Sequence, residues 1–372
     1  MLSRRAFASR MGIAAAAGAF SEFAYAQRAA INLKGPLPTN MVWLNANENP
    51  AGPPASSIRA MTEMLPQSGR YHYEQFGDFY KTLAASEDLA PEQILVGSGS
   101  TETLHAAVEA FTSSTRPLIT ISPTYEAPPE VARASGRRVI TIPVTSGYYA
   151  DVRKLVAEAD QAGGGLIYLC NPNNPTSAVT PKGEVEWMVS NLPSNTILLI
   201  DEAYIHFAET PEMASALPYV RQGKNVVVTR TFSKIYGMAG LRCGFACAPP
   251  ELIRQMSPFR NNVISIVTAH AVLAAIADAK TVVPQRKATL ARTRAELCSW
   301  LRQKNLRYID PQANFVMIDI GRDVRPFAAE MAQNAVAVGR PFPPLDRMLR
   351  VTIGTDADMA RFREVFWRVY SA

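Results

Sequence analysis

Between residues 94 and 228 the chain repeats one rhythm: a short apolar run, a cluster of turn-forming residues, then a stretch whose apolar positions recur at helical spacing. The apolar runs are Ile94-Leu-Val96, Leu118-Ile-Thr-Ile121, Arg138 to Pro143, Leu166 to Cys170, Thr196-Ile-Leu-Leu-Ile200 and Val226-Val-Val228. Thr196 to Ile200 is so uniformly apolar that it predicts a parallel strand covered on both faces. Leu104, Ala107, Val108 and Phe111 mark one intervening helix, and residues 152 to 159 another. This alternation predicts an α/β domain over about 75–255 with a mostly parallel sheet.

The pattern changes from about Ser257. Long helical stretches follow, clearest over Ala269 to Ala279 and Leu290 to Leu301, with strands expected at Arg307-Tyr-Ile, Phe315 to Ile318 and Met348 to Gly354. An amphipathic helix over Met359 to Tyr370 closes the chain. This mixture predicts a smaller α+β domain over 256–372, which residues 27–74 join as an N-terminal arm. Ala29 to Pro38 reads as extended, and Leu44 to Pro54 packs Asn, Gly and Pro too densely for any regular element to pass through.

Composition bounds the picture without directing it. With 372 residues, 48% of them hydrophobic and 19% charged, the chain has the material for one large and one smaller domain. The first 26 residues stand apart. Ser3-Arg-Arg-Ala-Phe7 is a twin-arginine pattern, Gly12 to Phe20 a weakly hydrophobic run too short for a membrane span, and Ala24-Tyr-Ala26 a small-x-small cleavage site. These features predict export as a folded protein by the twin-arginine machinery to the periplasm, with no stable membrane association. The net charge of +6 includes a surplus from that leader, and no dense basic run remains to suggest nucleic acid. Cys170, Cys243, Cys247 and Cys298 lack CxxC spacing and read as small buried apolar residues. His72, His105, His206 and His270 show no ligand spacing, so no metal site is expected.

The candidate chemistry centres on Lys234, which follows the β-branched run Val226 to Val228 and so belongs at the mouth of a buried strand. Desolvation there favours a nucleophilic amine suited to a Schiff base. Thr231 and Ser233 place hydroxyls beside it, and Arg242 supplies a guanidinium fork for an anion. A phosphorylated aldehyde, pyridoxal 5'-phosphate, answers to that combination. Gly97-Ser-Gly-Ser-Thr-Glu-Thr103 turns from a strand into a helix, where glycines let backbone amides approach an anion. Asp201 stands at the carboxyl end of an apolar strand, where open α/β sheets place ligands or where a carboxylate simply caps a helix.

The segment Thr231-Phe-Ser-Lys-Ile-Tyr-Gly-Met-Ala-Gly-Leu-Arg242 resembles the lysine motif of fold-type I pyridoxal-phosphate aminotransferases, in particular the histidinol-phosphate aminotransferase family. Further stretches in the family's order extend the resemblance over nearly the whole chain after the leader: Asn47-Glu-Asn-Pro-Ala-Gly52, Gly97-Ser-Gly-Ser-Thr-Glu102, Pro123-Thr-Tyr125, Asn171-Pro-Asn-Asn-Pro-Thr-Ser177 and Asp201-Glu-Ala-Tyr204. The resemblance implies a seven-stranded large-domain sheet, a homodimer and bound pyridoxal phosphate. It implies phosphate contacts from Ser100, Thr101, Thr231, Ser233 and Arg242, and from Tyr71 across the subunit interface. Tyr125 stacks on the pyridine ring, Asn174 and Tyr204 bond its phenolic oxygen, and Asp201 keeps its nitrogen protonated. Gly52, Asn314, Arg340 and Arg350 become substrate contacts, Arg350 gripping an acidic group.

Three departures stand out: Ala51 where the family often has an aromatic residue, His72 for its proline, and Ser177 for its glycine. The implied reaction moves an amino group from an amino acid or related amine to a 2-oxo acid, with Lys234 shuttling the proton. A lyase, decarboxylase or oxidase on the same scaffold would use the same cofactor contacts. Histidinol phosphate is the family's donor, whereas an exported enzyme meets other amines.

Overall fold

The computed structural model describes residues 40–260 and 263–372; the leader and the extended arm expected at 29–38 lie outside them. The first strand is β1 (Val42–Leu44), and the apolar runs then form β2 (Ile94–Gly97), β3 (Leu118–Ser122), β4 (Val139–Pro143), β5 (Gly165–Cys170), β6 (Thr196–Asp201) and β7 (Val226–Thr231). With β8 (Gly244–Cys247) they make a seven-stranded sheet in the order β2-β8-β7-β6-β5-β3-β4, in which β8 runs antiparallel to both neighbours. The other pairings are parallel.

Strand alternation divides the core. Leu166, Tyr168 and Cys170 of β5 and Ile197 and Leu199 of β6 pack into one apolar cluster, while Ile167, Leu169, Leu198 and Ile200 pack into the other. Both faces of these strands are buried, as their uninterrupted apolar character requires. The same period of two carries Asp201 to the face of Tyr168 and Cys170. Since β3, β5, β6 and β7 run in one direction, the loops opening at Pro123, Asn171, Glu202 and Phe232 gather at one edge of the sheet.

The remaining strands are short pairs. β9 (Phe315–Asp319) lies antiparallel to β11 (Met348–Thr352), and β1 lies parallel to β10 (Val336–Val338). The β1–β10 pairing ties the N-terminal segment to the C-terminal strands and delivers Asn45 to Glu48 to the same sheet edge. Arg307-Tyr-Ile does not form the expected strand. Tyr308 makes one antiparallel bridge to Ile318, and Pro311, which has no N–H to donate, prevents the ladder from continuing. The expected helices appear as Ile266–Ala277 and Ala279–Gln303, meeting at 81° around Asp278. All four cysteines are buried and free, and burial pushes the Cys243 thiol up to about 12.

One buried ion network stitches β6 and β7 to the end of the Phe76–Ser86 helix. Arg230 donates from Nη1 to Glu87 Oε2 at 2.6 Å and from Nη2 to Glu202 Oε2 at 2.9 Å. Glu202 has no exposed side-chain surface and also accepts from the Ala216 amide at 2.6 Å. Arg230→Met should therefore leave two carboxylates without their cation at a cost of about 3–5 kcal/mol. Urea denaturation checks this, and adding Glu202→Leu should recover part of the loss.

Candidate active site

Lys234 owes its position to the turn that joins β7 to β8. Phe232 is buried against Tyr236 and Phe245, and its amide bonds the Cys243 carbonyl at 3.1 Å. Gly237 then turns with φ of 66°, and a Cβ there would strike the Gly52 carbonyl. Lys234 is left half-buried, its Nζ 3.3 Å from the Ala46 carbonyl oxygen and 5.7 Å from the centre of the Tyr204 ring. The cleft it enters measures about 520 Å3.

One end of the cleft is built for an anion. The Ser100–Phe111 helix begins there, with the positive end of its dipole. Gly99 precedes it at φ of 77°, and a Cβ at that position would collide with the Arg242 guanidinium. Arg242 itself has left-handed backbone, with φ of 57°. A Cβ on Gly244 would meet the Ser100 amide, so glycine at the start of β8 lets that strand lie close to the helix start. Ser100, Thr101, Thr231, Ser233 and Arg242 all line this region. Thr231 and Ser233 share a hydroxyl bond of 2.9 Å, and the Thr101 hydroxyl lies 3.3 Å from that of Tyr125.

A buried carboxylate lies deeper in the cleft. Asp201 accepts from the Ala203 amide at 3.1 Å, the Thr229 hydroxyl at 3.2 Å and the Tyr168 hydroxyl at 3.4 Å. Thr229 is its register partner on β7. Burial pushes the Asp201 carboxyl up to about 6, against the opposing pull of these donors. Tyr204 accepts from Asn47 Nδ2 at 3.1 Å and meets Phe315 edge-on; burial raises its hydroxyl's pKa.

The third group consists of arginines. Arg350 donates to Asn174 Oδ1 and to the Asn45 carbonyl, both at 2.7 Å. Arg340 is ion-paired with Glu126, and both residues line the cleft.

Three expected site residues do not line it. Gly52 accepts from Arg286 Nη2 at 2.8 Å, and its φ of 63° explains the need for glycine without any substrate. Asn314 is fully buried and donates to the Asn47 carbonyl at 2.9 Å, so it positions the segment that reaches Tyr204. Tyr71 is 70% exposed and stacks on Tyr73. The departures at 72 and 177 have backbone consequences: His72 has φ of 54°, outside the range a proline ring allows. Ser177 has φ of 62°, where glycine is at ease, and its hydroxyl accepts from the Gln312 and Ala313 amides at 3.0 and 2.8 Å. Tyr168, Thr229 and Glu126 lie outside the quoted motifs, and Asn47, though it opens one of them, carries no assigned role there; alternation along β5 was the one available pointer to Tyr168.

The set fits pyridoxal phosphate. Lys234 offers an amine, the Gly99–Arg242 region a cradle that any side chain at Gly99 would fill, and Asp201 a buried anion able to receive an N–H.

Residues 39–366 match the family model for aminotransferase class I and II. The chain is 32% identical over 326 residues to histidinol-phosphate aminotransferase of Moorella thermoacetica, covering 85% of this chain and 82% of that one. It is 31% identical over 326 residues to aromatic amino acid aminotransferase of Cutibacterium acnes, covering 87% and 90%. The crystal structure of histidinol-phosphate aminotransferase from Sinorhizobium meliloti in complex with pyridoxal-5'-phosphate superposes with a TM-score of 0.83 at 26% identity, covering 89% of this chain and 91% of that one.

The Asp201 carboxyl binds its proton more tightly in the folded chain, at about 6, than its ordinary value of 3.8 in the unfolded one. The unfolded state therefore releases that proton first as pH rises. Cofactor-free protein should lose about 3 kcal/mol of stability between pH 4 and 6 from this group and change little above. Asp201→Asn should remove that decline, as urea denaturation across the pH range will read.

Proposed function

Because this chain belongs to the family of class I and II aminotransferases and is accordingly a pyridoxal-phosphate-dependent aminotransferase, we propose that it takes the amino group of a donor whose acidic group is gripped by Arg350. The observation that carries this reading is the convergence of Lys234, Asp201 and the Gly99–Arg242 anion cradle in one cleft. Pyridoxal phosphate, when bound, supplies an aldehyde for the donor amine and an electron-poor ring to receive the electrons released at the donor Cα.

The chain's own residues do the rest. Arg242, Ser100, Thr101, Thr231 and Ser233 hold the phosphate. Asp201 keeps a proton on the ring nitrogen, in a place where burial makes a cationic partner valuable. Asn174 has Oδ1 committed to Arg350 and so would offer Nδ2 to the phenolic oxygen, while Tyr204, accepting from Asn47, would offer its hydroxyl proton to the same atom. Tyr125 lies against the ring face. Lys234 Nζ accepts the donor's Cα proton as general base. A 2-oxo acid then enters the same cleft and leaves aminated. Gly52 and Asn314 support this site from behind by fixing the Asn45–Gly52 segment, and Arg340 borders the substrate.

The proposal extends to assembly and place. Exposed Tyr71, stacked on exposed Tyr73, suits a homodimer in which it reaches the partner's phosphate site. The twin-arginine pattern and cleavage site support export to the periplasm, which fractionation of cells making the full chain tests.

Lys234→Ala should lower turnover by at least about 10²–10⁴-fold, the share of a general base, while leaving cofactor bound. Borohydride reduction and mass spectrometry should label Lys234 in the wild type only. Mixing Lys234→Ala with Tyr71→Ala subunits should restore turnover, since each hybrid dimer would then own one complete site.

A further inference from the structure

Arg340 and Arg350 both border the substrate end of the cleft, yet they are held differently. Their guanidiniums lie against one ring, that of Phe342, at 4.2 and 4.6 Å from its centre. Arg350 donates from Nη1 and Nη2 to neutral oxygens, the Asn174 amide and the Asn45 carbonyl. Arg340 instead meets a carboxylate, that of Glu126. Glu126 directly follows Tyr125 at the start of the Ala127–Ala134 helix, so the pair joins the segment after β10 to the helix beside the cofactor's ring face. Its two side chains are about one-third exposed, at 32% and 28%, so solvent does not screen them fully.

The charge around that end follows from the roles already proposed, on which this inference rests. With Lys234 and Arg242 facing the cofactor's aldehyde and phosphate, and Asp201 its ring nitrogen, the other charged lining residues are Arg340 and Arg350 against Glu48, Glu126 and Glu130. One carboxylate on a substrate finds Arg350. A second anionic group finds Arg340 already paired with the Glu126 carboxylate. A phosphate, which brings about 1.5–2 negative charges, fares worst. We propose that Glu126 is a specificity-determining residue that closes the second anion site. The substrates are then amino acids with uncharged or cationic side chains, and donors carrying a phosphate or second carboxylate are disfavoured. Donor and acceptor use the cleft in turn, so the acceptor is a monocarboxylic 2-oxo acid.

The test combines single-turnover reactions with binding of inert analogues. Wild-type holoprotein is mixed with phenylalanine, lysine, aspartate or histidinol phosphate, and conversion of the cofactor to its amine form is followed by absorbance. Phenylalanine or lysine should exceed both dianionic donors at least tenfold in rate per unit concentration. In Glu126→Gln the ratio of aspartate to phenylalanine should rise at least tenfold, and Glu126→Asp, which keeps the charge, should restore the wild-type order. Calorimetry should show succinate binding more tightly to Glu126→Gln than to wild type, with 3-phenylpropionate showing no such gain. Preference of the wild type for histidinol phosphate or aspartate, or an equal effect of Glu126→Gln on all donors, overturns the proposal. Failure of every donor to convert the cofactor would instead count against the site roles above, while the succinate comparison still reads Glu126.

Discussion

A carboxylate left only 3% exposed at the floor of the cleft is the constraint around which this structure is arranged. Asp201 ends a strand whose two faces are both covered, and an isolated charge there would be costly. Three donors from three places in the chain offset part of that cost: the Ala203 amide, the Thr229 hydroxyl and the Tyr168 hydroxyl. They do not offset all of it, since burial still raises the carboxyl to about 6. A buried carboxylate in that state would bind a cationic N–H more strongly than a solvated one.

The sheet makes this arrangement possible. Parallel β5, β6 and β7 bring Cys170, Asp201 and Thr229 into register, and the loops beyond them carry Asn174, Tyr204 and Lys234 to the same edge. β8, the antiparallel strand, returns the chain so that Arg242 meets Gly99 at the start of a helix. Anion cradle and buried carboxylate thus come from opposite sides of β7.

A different part of the chain shapes the other end of the cleft. The pairing of β1 with β10 draws Asn45 to Glu48 against the C-terminal strands, and Asn314 fixes that segment from beneath. Arg350 donates to the Asn174 and Asn45 oxygens there, and Arg340 pairs with Glu126. Ser177 strengthens the same junction by bonding Gln312 and Ala313 from a left-handed turn. Two arginines that look alike in sequence are therefore held by different kinds of group.

The order of strands and helices from 94 to 228, the turn-rich loops at strand ends and the lysine, aspartate and arginine of the cofactor site were legible in the sequence. These depend on local periods of two and 3.6 residues and on glycine, proline and asparagine, whose conformational effects act within a few residues. The strand expected at Arg307-Tyr-Ile is reduced to a single bridge at Tyr308, because strand propensity says nothing about whether a partner ladder can continue. Only the tertiary structure decided which groups hold Asp201, that Asn314 and Gly52 brace the cleft without lining it, and that Glu126 faces Arg340. Those outcomes depend on strand register and on charges brought together from distant parts of the chain, and a Coulomb interaction depends on separation in space, which sequence spacing does not encode.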